Sequence, residues 1–288
     1  MFNKRHIVRT IAATVSILAL SFTAACGSGQ STASNSTDSD DITQQTYKPG
    51  KLTIATGQPA YEPWVMNDKP ESGEGYEAAV AYAVADKLGF KKSDVVWTRT
   101  AFDTAIAPGA KDWDFNIQQF GITDERKKAV DFSSSYYNDS QSVVVKKDSK
   151  FANATKVSDL KDATVGVMVG TLAYDYAKAN IKDDIQTFND DAALAQALDA
   201  GQIDALVTST VECVYMVQSE QVKDAKVLGR LPDSEDKKRR WAIVLPKDSK
   251  LTAAVTKAVD DLNADGTIKK LQDKWLAEYT TDLTELKK

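Results

Sequence analysis

Apolar and polar positions divide the chain into three stretches. Residues Ile11–Phe22 (IAATVSILALSF) form an uncharged apolar run. Residues Gly27–Thr46 (GSGQSTASNSTDSDDITQQT) hold almost nothing apolar. From Lys51 onward, short apolar runs alternate with segments rich in helix formers. The first series predicts strands at Leu52–Thr56, Val95–Thr98 and Phe115–Gln118, and helices at Glu77–Leu88, stopped by Gly89, and at Glu125–Val130. The second predicts strands at Thr164–Met168, Ile185–Phe188 and Ile203–Val207, interleaved with helices at Tyr174–Asn180, Asp191–Ala200 and Val211–Ser219. A strand at Trp241–Leu245 and helices at Leu251–Asn263 and Thr267–Tyr279 close the chain. Alternating elements imply an α/β fold with largely parallel sheets, and two series imply two lobes. Ligands of such folds lie beyond the carboxyl ends of strands or between lobes.

The beginning of the chain reads as a targeting signal. Lys4, Arg5 and Arg9 precede the apolar run, and Thr23-Ala24-Ala25 and Cys26 follow it. A basic start, a short apolar run and a small-residue cleavage site describe a secretory signal peptide, here 1–25. The run is too short to span a bilayer, which takes about 20 residues. A cysteine directly after Ala-Ala resembles a bacterial lipobox, whose cysteine is lipidated and becomes the new N-terminus. Thr23 stands where that pattern has leucine, so a plain signal peptide with a chance cysteine is the alternative. Residues 26–46 then form the lipidated cysteine and a tether too polar to offset its own ordering entropy. The domain is expected to begin near Tyr47.

Composition narrows the chemistry. At 42% hydrophobic and 27% charged residues, the 288-residue chain is of ordinary globular type. Its one histidine, His6, lies in the predicted signal, so the mature protein has no Ser-His-Asp or Cys-His triad and no His-ligated zinc. Its two cysteines, Cys26 and Cys213, make no four-cysteine metal site. Cys213 is expected to pack as a small buried thiol. No cofactor is expected. Loss of three basic and no acidic groups with the signal moves the formal charge from −5 to −8. That balance opposes nucleic-acid binding and direct adhesion to anionic lipid.

The most informative segment is Gly121–Ser133 (GITDERKKAVDFS). Thr123 is placed to cap a helix that opens with Asp124 and Glu125, whose charges suit its positive end. Arg126 follows in the first turn, where a cation is disfavoured unless an anion sits beside it. Guanidinium offers a carboxylate two parallel hydrogen bonds. A surface arginine paired with Asp124 or Glu125 is the alternative. In Val167–Thr171 (VMVGT) a strand runs through Gly170 into a helix, an arrangement that lets backbone amides approach an anion.

Together these segments resemble the bacterial extracellular solute-binding proteins of family 3, the amino-acid receptors of ABC importers. The resemblance runs over about residues 49–280. It includes KLTIATG at Lys51–Gly57, AYEPW at Ala60–Trp64, GYEAAVAYAVADKLGF at Gly75–Phe90 and GITDERKKAVDFSSSYY at Gly121–Tyr137. It continues through DLKDATVGVMVGT at Asp159–Thr171, DYAKANI at Asp175–Ile181 and NADGTIKKLQDKW at Asn263–Trp275. It implies the two-lobed periplasmic-binding-protein fold, an α/β architecture with a ligand cleft between lobes joined by two hinge strands. Lobe 1 would be 47–140 plus 244–288, and lobe 2 would be 141–243.

The resemblance also implies roles. Arg126 would hold the ligand α-carboxylate, met from the other lobe by Thr171 and the Gly170 backbone. Tyr61, Trp64 and Phe102 would flank the side chain, unless they are ordinary core. Gln118, Gln119 and Gly121 would line the pocket, and Met168 stands where some relatives carry a polar reader. Many relatives have aspartate for the ligand ammonium at the position of Ser209. Glu212, one turn on, is the substitute unless it is an exposed helix residue; the hydroxyls of Thr208, Ser209 and Thr210 are another. Gly57-Gln58 lacks the acid of relatives that prefer cationic ligands, although Glu62 is near. The expected partners are an amino-acid ligand, ABC permease subunits and, through Cys26, the outer face of the cell membrane, the chain acting as a monomer. A cleft enzyme of the cyclohexadienyl dehydratase type, with Glu212 or Glu62 as acid, and a signalling receptor are the alternatives.

Overall fold

The structure is a computed structural model that describes residues 41–232, 240–280 and 283–288. The predicted signal peptide, Cys26 and the tether up to residue 40 lie outside the described residues. From Asp41 onward the chain is already part of the fold. The Asp41 carboxylate accepts from the Thr43 amide at the start of a 3₁₀ turn, Ile42 packs on the first core, and Thr46 is buried. The domain therefore starts before Tyr47, because Ile42 supplies apolar surface that the polar residues around it conceal in sequence.

Two five-stranded sheets organise the chain. The first runs β2 (Val95–Arg99), β1 (Leu52–Thr56), β3 (Phe115–Asn116), β10 (Arg240–Pro246), β4 (Val130–Asn138). The second runs β7 (Gln186–Phe188), β6 (Val165–Met168), β8 (Ala205–Ser209), β5 (Gln141–Lys146), β9 (Ala225–Arg230). Helices α1 (Tyr76–Lys87), α2 (Phe102–Ile106), α6 (Thr252–Ala264) and α7 (Thr267–Leu276) accompany the first. Helices α3 (Leu172–Asn180), α4 (Asp191–Asp199) and α5 (Thr210–Gln218) accompany the second.

The sheets are mixed, not largely parallel as the alternation suggests. Pairs joined through helical crossovers are parallel: β1 with β2 and β3, and β6 with β7 and β8. Pairs that involve the strands on either side of a passage between sheets are antiparallel: β10 with β3 and β4, and β5 with β8 and β9. β4 and β5 follow one another directly but belong to different sheets, so neither has a crossover helix to set it parallel.

Both sheets are covered on both faces, which accounts for the uninterrupted apolar runs. In the second sheet Val143, Val145, Val165 and Val207 face one cluster, and Val144 and Leu206 face another with Leu194, Leu198 and Met216. In the first, Leu52, Ile54, Ile243 and Leu245 pack with α1 and α6, whereas Ala55 and Val244 turn to Phe120 and Trp113. Helix α5, from the second series, also inserts Val211 and Val214 into the first core. The predicted helix at Glu125–Val130 is only a 3₁₀ turn, Arg126–Lys128, because Val130 already pairs with Pro246. The strand ladder overrides local helix propensity there. The last residues return to the second sheet, against their assignment with 244–288. Glu285 bridges Arg230, and Leu286 is buried among Val143, Val165 and Leu231.

Helix α1 is capped by backbone. The Tyr76 amide donates to the Pro63 carbonyl at 3.0 Å and the Glu77 amide to that of Trp64 at 2.9 Å. The loop fits so closely because its neighbour is Gly75, at φ +99°, where a Cβ would stand 2.5 Å from the Trp64 oxygen. Gly75→Ala is expected to cost about 2–4 kcal/mol, a fall in Tm of roughly 5–15 °C by scanning calorimetry. A Tm within a degree of wild type would show that the loop yields.

Candidate functional site

A cavity of about 700 Å³, including its open mouth, lies between the two sheets. Thr56, Gly57 and Tyr61 line it from beyond the carboxyl end of β1, and Met168 and Thr171 from beyond that of β6. Gln118, Gln119, Gly121 and Arg126 follow β3, and Asp139 and Gln141 lie at the β4–β5 passage. Asp191 opens α4, and Thr208, Ser209 and Glu212 lie at the β8–α5 junction. Strand ends and helix starts thus converge on one space, as in other open α/β sheets.

Arg126 is fixed from both sides. Its Nη1 donates to the Gly121 carbonyl at 2.6 Å, and its Nη2 donates across the cleft to the Gly170 carbonyl at 2.7 Å. Its backbone amide donates to the Thr123 hydroxyl at 3.1 Å, so Thr123 caps the turn. The guanidinium lies 5.4 Å from the centre of the Phe102 ring, which stacks on Phe120 at 4.8 Å. Asp124 and Glu125 pair instead with Lys127 and Lys128, and no ion pair holds Arg126 among the described residues. Burial lowers its pKa to about 10, with Asp175 acting in opposition. Facing it, Thr171 caps α3: its hydroxyl donates to the Met168 carbonyl at 2.8 Å and accepts from the Tyr174 amide. A half-buried cation beside a helix N-terminus is an arrangement that suits an anion.

Acid gathers on another part of the wall. Glu212, 7% exposed, accepts from the Trp64 indole at 3.2 Å and from the Thr208 hydroxyl at 2.8 Å. The same hydroxyl lies 3.4 Å from Asp191, itself 8% exposed. Burial raises both carboxyl pKa values, and for Asp191 the charge of Glu212 adds to the effect. Burial first, then Asp190, Asp191 and Glu212, also raise the pKa of the Tyr61 hydroxyl.

Beneath the cavity floor, Glu77 is wholly buried. It accepts from the Gln119 amide at 2.8 Å, from the Gln119 side chain and from the Tyr136 hydroxyl. Gln119 has φ +52°, and these bonds hold it in that left-handed conformation. Burial pushes the Glu77 pKa up to about 7 against those three donors, with Glu212 adding to the rise.

Twelve of the residues singled out by sequence line the cavity: Gly57, Tyr61, Phe102, Gln118, Gln119, Gly121, Arg126, Met168, Thr171, Thr208, Ser209 and Glu212. Trp64 and Gly170 do not. Trp64 is fully buried behind the wall, edge-on to Tyr76, Tyr137 and Trp241, and its polar edge holds Glu212. The Gly170 carbonyl accepts from Arg126. Glu212 is buried, not an exposed helix residue, and Ser209 caps α5 by accepting from its amide. Glu62 accepts from the Tyr215 hydroxyl and the Asn67 amide, outside the cavity lining. Cys213 is a buried thiol, as expected. Sequence reasoning missed Asp191 and Trp241. The one signal for Asp191 was the Asp190-Asp191 pair, of which a single member is needed as the α4 cap; Asp190 takes that role through the Ala193 amide.

The family model of bacterial extracellular solute-binding proteins, family 3, matches residues 52–278. The L-cystine-binding protein TcyJ of Escherichia coli strain K12 is 28% identical over 223 residues, covering 77% of this chain and 81% of its own. The probable amino-acid-binding protein YxeM of Bacillus subtilis strain 168 is 28% identical over 290 residues, covering 98% of both. The solved structure of an ancestral arginine-binding protein bound to arginine superposes with a TM-score of 0.66 at 31% identity. It covers 78% of this chain and 98% of its own. These names all describe binding, not catalysis.

Two outcomes are expected from this geometry. Between pH 4.5 and about 7 the folded Glu77 keeps a proton that the unfolded chain has lost. Stability from this group therefore falls as pH rises through that window, by of the order of 3 kcal/mol, and levels off above it. Glu77→Gln should flatten that part of a urea-midpoint profile; an unchanged slope would exclude Glu77 as its source. A Cβ on Gly121 would stand 2.3 Å from Leu172 across the cleft. Gly121→Ala should prop the cleft open, enlarge the radius of gyration in solution scattering and weaken ligand binding roughly 10-fold. Unaltered scattering and affinity would mean that Leu172 simply moves aside.

Proposed function

The chain belongs to the bacterial extracellular solute-binding proteins of family 3, and on that premise we propose that its cleft captures a polar amino acid or close derivative for an ABC importer. The observation that carries this reading is Arg126. A half-buried guanidinium without an ion-pair partner among the described residues, seated beside the start of α3, asks for a carboxylate. The ligand α-carboxylate fills that place, and Thr171 with the amides that follow it meets the same group from the other lobe. Tyr61 and Phe102 border the ligand's side chain, with Gln118, Gln119 and Met168 nearby. Since Arg126 and α3 belong to different sheets, one anion engages both lobes and favours the closed arrangement.

The task is capture and release without chemistry, with handover to permease subunits. In this reading Cys26 carries the lipid that keeps the receptor on the outer face of the cell membrane, and the polar segment after it is the tether. Lobe 1, mainly 47–140 plus 244–280, and lobe 2, mainly 141–243 with the C-terminal residues, close over the ligand.

A saturating ligand at about 100 times its Kd should stabilise the protein by about 2.7 kcal/mol, raising Tm by roughly 5–11 °C in a thermal-shift screen of amino acids. Arg126→Ala should abolish that rise. A variant that keeps the wild-type shift and calorimetric affinity would remove the carboxylate from Arg126.

A further inference from the structure

We propose that Glu77, which lies outside the cavity lining, is a positioning residue for capture: its ionised carboxylate sets the turn at Gln119, and the affinity of the cleft follows its ionisation. The inference rests on the amino-acid reading of the cleft and adds a control on that same site.

The turn is where the control acts. β3 ends at Asn116, and Gln118, Gln119 and Gly121 beyond it line the cavity. At φ +52°, Gln119 has a left-handed conformation that a residue with a side chain adopts at a cost. Its backbone amide donates to Glu77 Oε1 at 2.8 Å, and its side-chain amide donates to Oε2. One carboxylate thus clamps the main chain and the side chain of the same residue. The next residue, Phe120, is fixed by its carbonyl, which accepts from the Ala242 amide at 3.0 Å. After it, the Gly121 carbonyl accepts from Arg126 Nη1 at 2.6 Å. The Gln119 turn therefore decides where the loop presents a cavity side chain and the carbonyl that orients the guanidinium.

The ionised form is the one that fits these partners. Glu77 is wholly buried, and the Tyr136 hydroxyl joins the Gln119 amide on Oε1. A carboxylate only accepts, whereas a protonated carboxyl brings a hydrogen of its own. On Oε1 that hydrogen would oppose the Gln119 backbone amide and reverse the Tyr136 bond. On Oε2 it meets the Gln119 side-chain NH₂, donor against donor. The main chain cannot leave, but the side chain can rotate. Protonation therefore costs the Oε2 bond, frees the Gln119 side chain within the cavity and loosens the turn.

Other groups act on this carboxyl from several elements. Tyr76, its neighbour on α1, donates its hydroxyl to the Tyr136 carbonyl at 2.6 Å and so fixes that residue on β4. The loop before α1 offers the Trp64 carbonyl, which accepts from the Glu77 amide at 2.9 Å. Glu212 on α5 acts through its charge. Burial, opposed by Tyr136 and Gln119 and joined by Glu212, brings Glu77 to about 7, so the change of state falls in the neutral range. A ligand that binds the clamped turn favours the ionised form. Affinity then falls as pH falls through this value and levels off below it.

The test uses the full chain with L-cystine and the common L-amino acids whose side chains do not titrate near neutrality. Calorimetry follows Kd between about pH 8 and about pH 5.5. For the members that bind, the wild-type Kd should rise roughly 5-fold over that range. Glu77→Gln, whose amide stands in for the protonated carboxyl, should bind near pH 8 about as weakly as wild type does near pH 5.5, with a flatter profile. Tyr136→Phe removes a donor to Glu77 at a residue outside the cavity lining, so it should move the midpoint of the profile upward. It gives the decisive readout should Glu77→Gln fail to fold. In ligand-free protein the amide NMR signal of Gln119 should titrate with the midpoint of the affinity profile in wild type and not in Glu77→Gln. Wild-type affinity in Glu77→Gln, a uniform loss with the wild-type slope, or a Gln119 signal that does not titrate would overturn the inference while leaving the amino-acid reading in place. If no member of the panel binds, that reading fails and the inference falls with it.

Discussion

The cleft depends on the Arg126 guanidinium, a charge that no ion pair holds among the described residues. Arg126 has its two terminal nitrogens on carbonyls from opposite sides, Gly121 after β3 and Gly170 after β6. Carbonyl dipoles orient a guanidinium without neutralising it, and burial lowers its pKa to about 10. The bond to Gly170 also ties the two halves of the molecule together. Gly121 is part of this arrangement, since only a residue without a side chain lets Leu172 come so near. Charge, closure and the approach of α3 are therefore one constraint.

A second tie across the cleft runs through Glu212. The Trp64 indole reaches it out of an aromatic cluster that includes Tyr76, Tyr137 and Trp241. The apolar body of Trp64 belongs to the first core, and its one polar atom steadies an acid carried by the second sheet's helix. Glu77 does the same for the floor through Gln119.

Much of this was legible in the residues. β1 matches its predicted span at Leu52–Thr56, because a strand covered on both faces is a plain apolar run. The start of α1 is displaced by one residue and that of α4 by none. The string around Arg126 singled that residue out, and the structure puts it on the cavity wall. The strands beside the passages between sheets were harder. β4 runs Ser-Ser-Ser-Tyr-Tyr after a run of helix formers, and its state is settled by β10, more than 100 residues away. Trp64 shows the limit of residue type as a guide: an aromatic beside a pocket and one behind it look alike in sequence. Asp191 was hidden for a related reason, since acids at helix starts are ordinary. Only Thr208, brought within reach of both carboxyls, distinguishes it.

The two ends of the described chain lie on different halves of the molecule. Ile42 packs on the first core and the Tyr47 amide donates to Asp114 beside it, whereas Leu286 is buried in the second. A pull on the leading end is therefore borne by one sheet, and a label at the trailing end travels with the other. The separation of the segments around Ile42 and Leu286 is a built-in gauge of cleft opening. A pair of fluorophores placed there would track capture in a single molecule without touching the pocket.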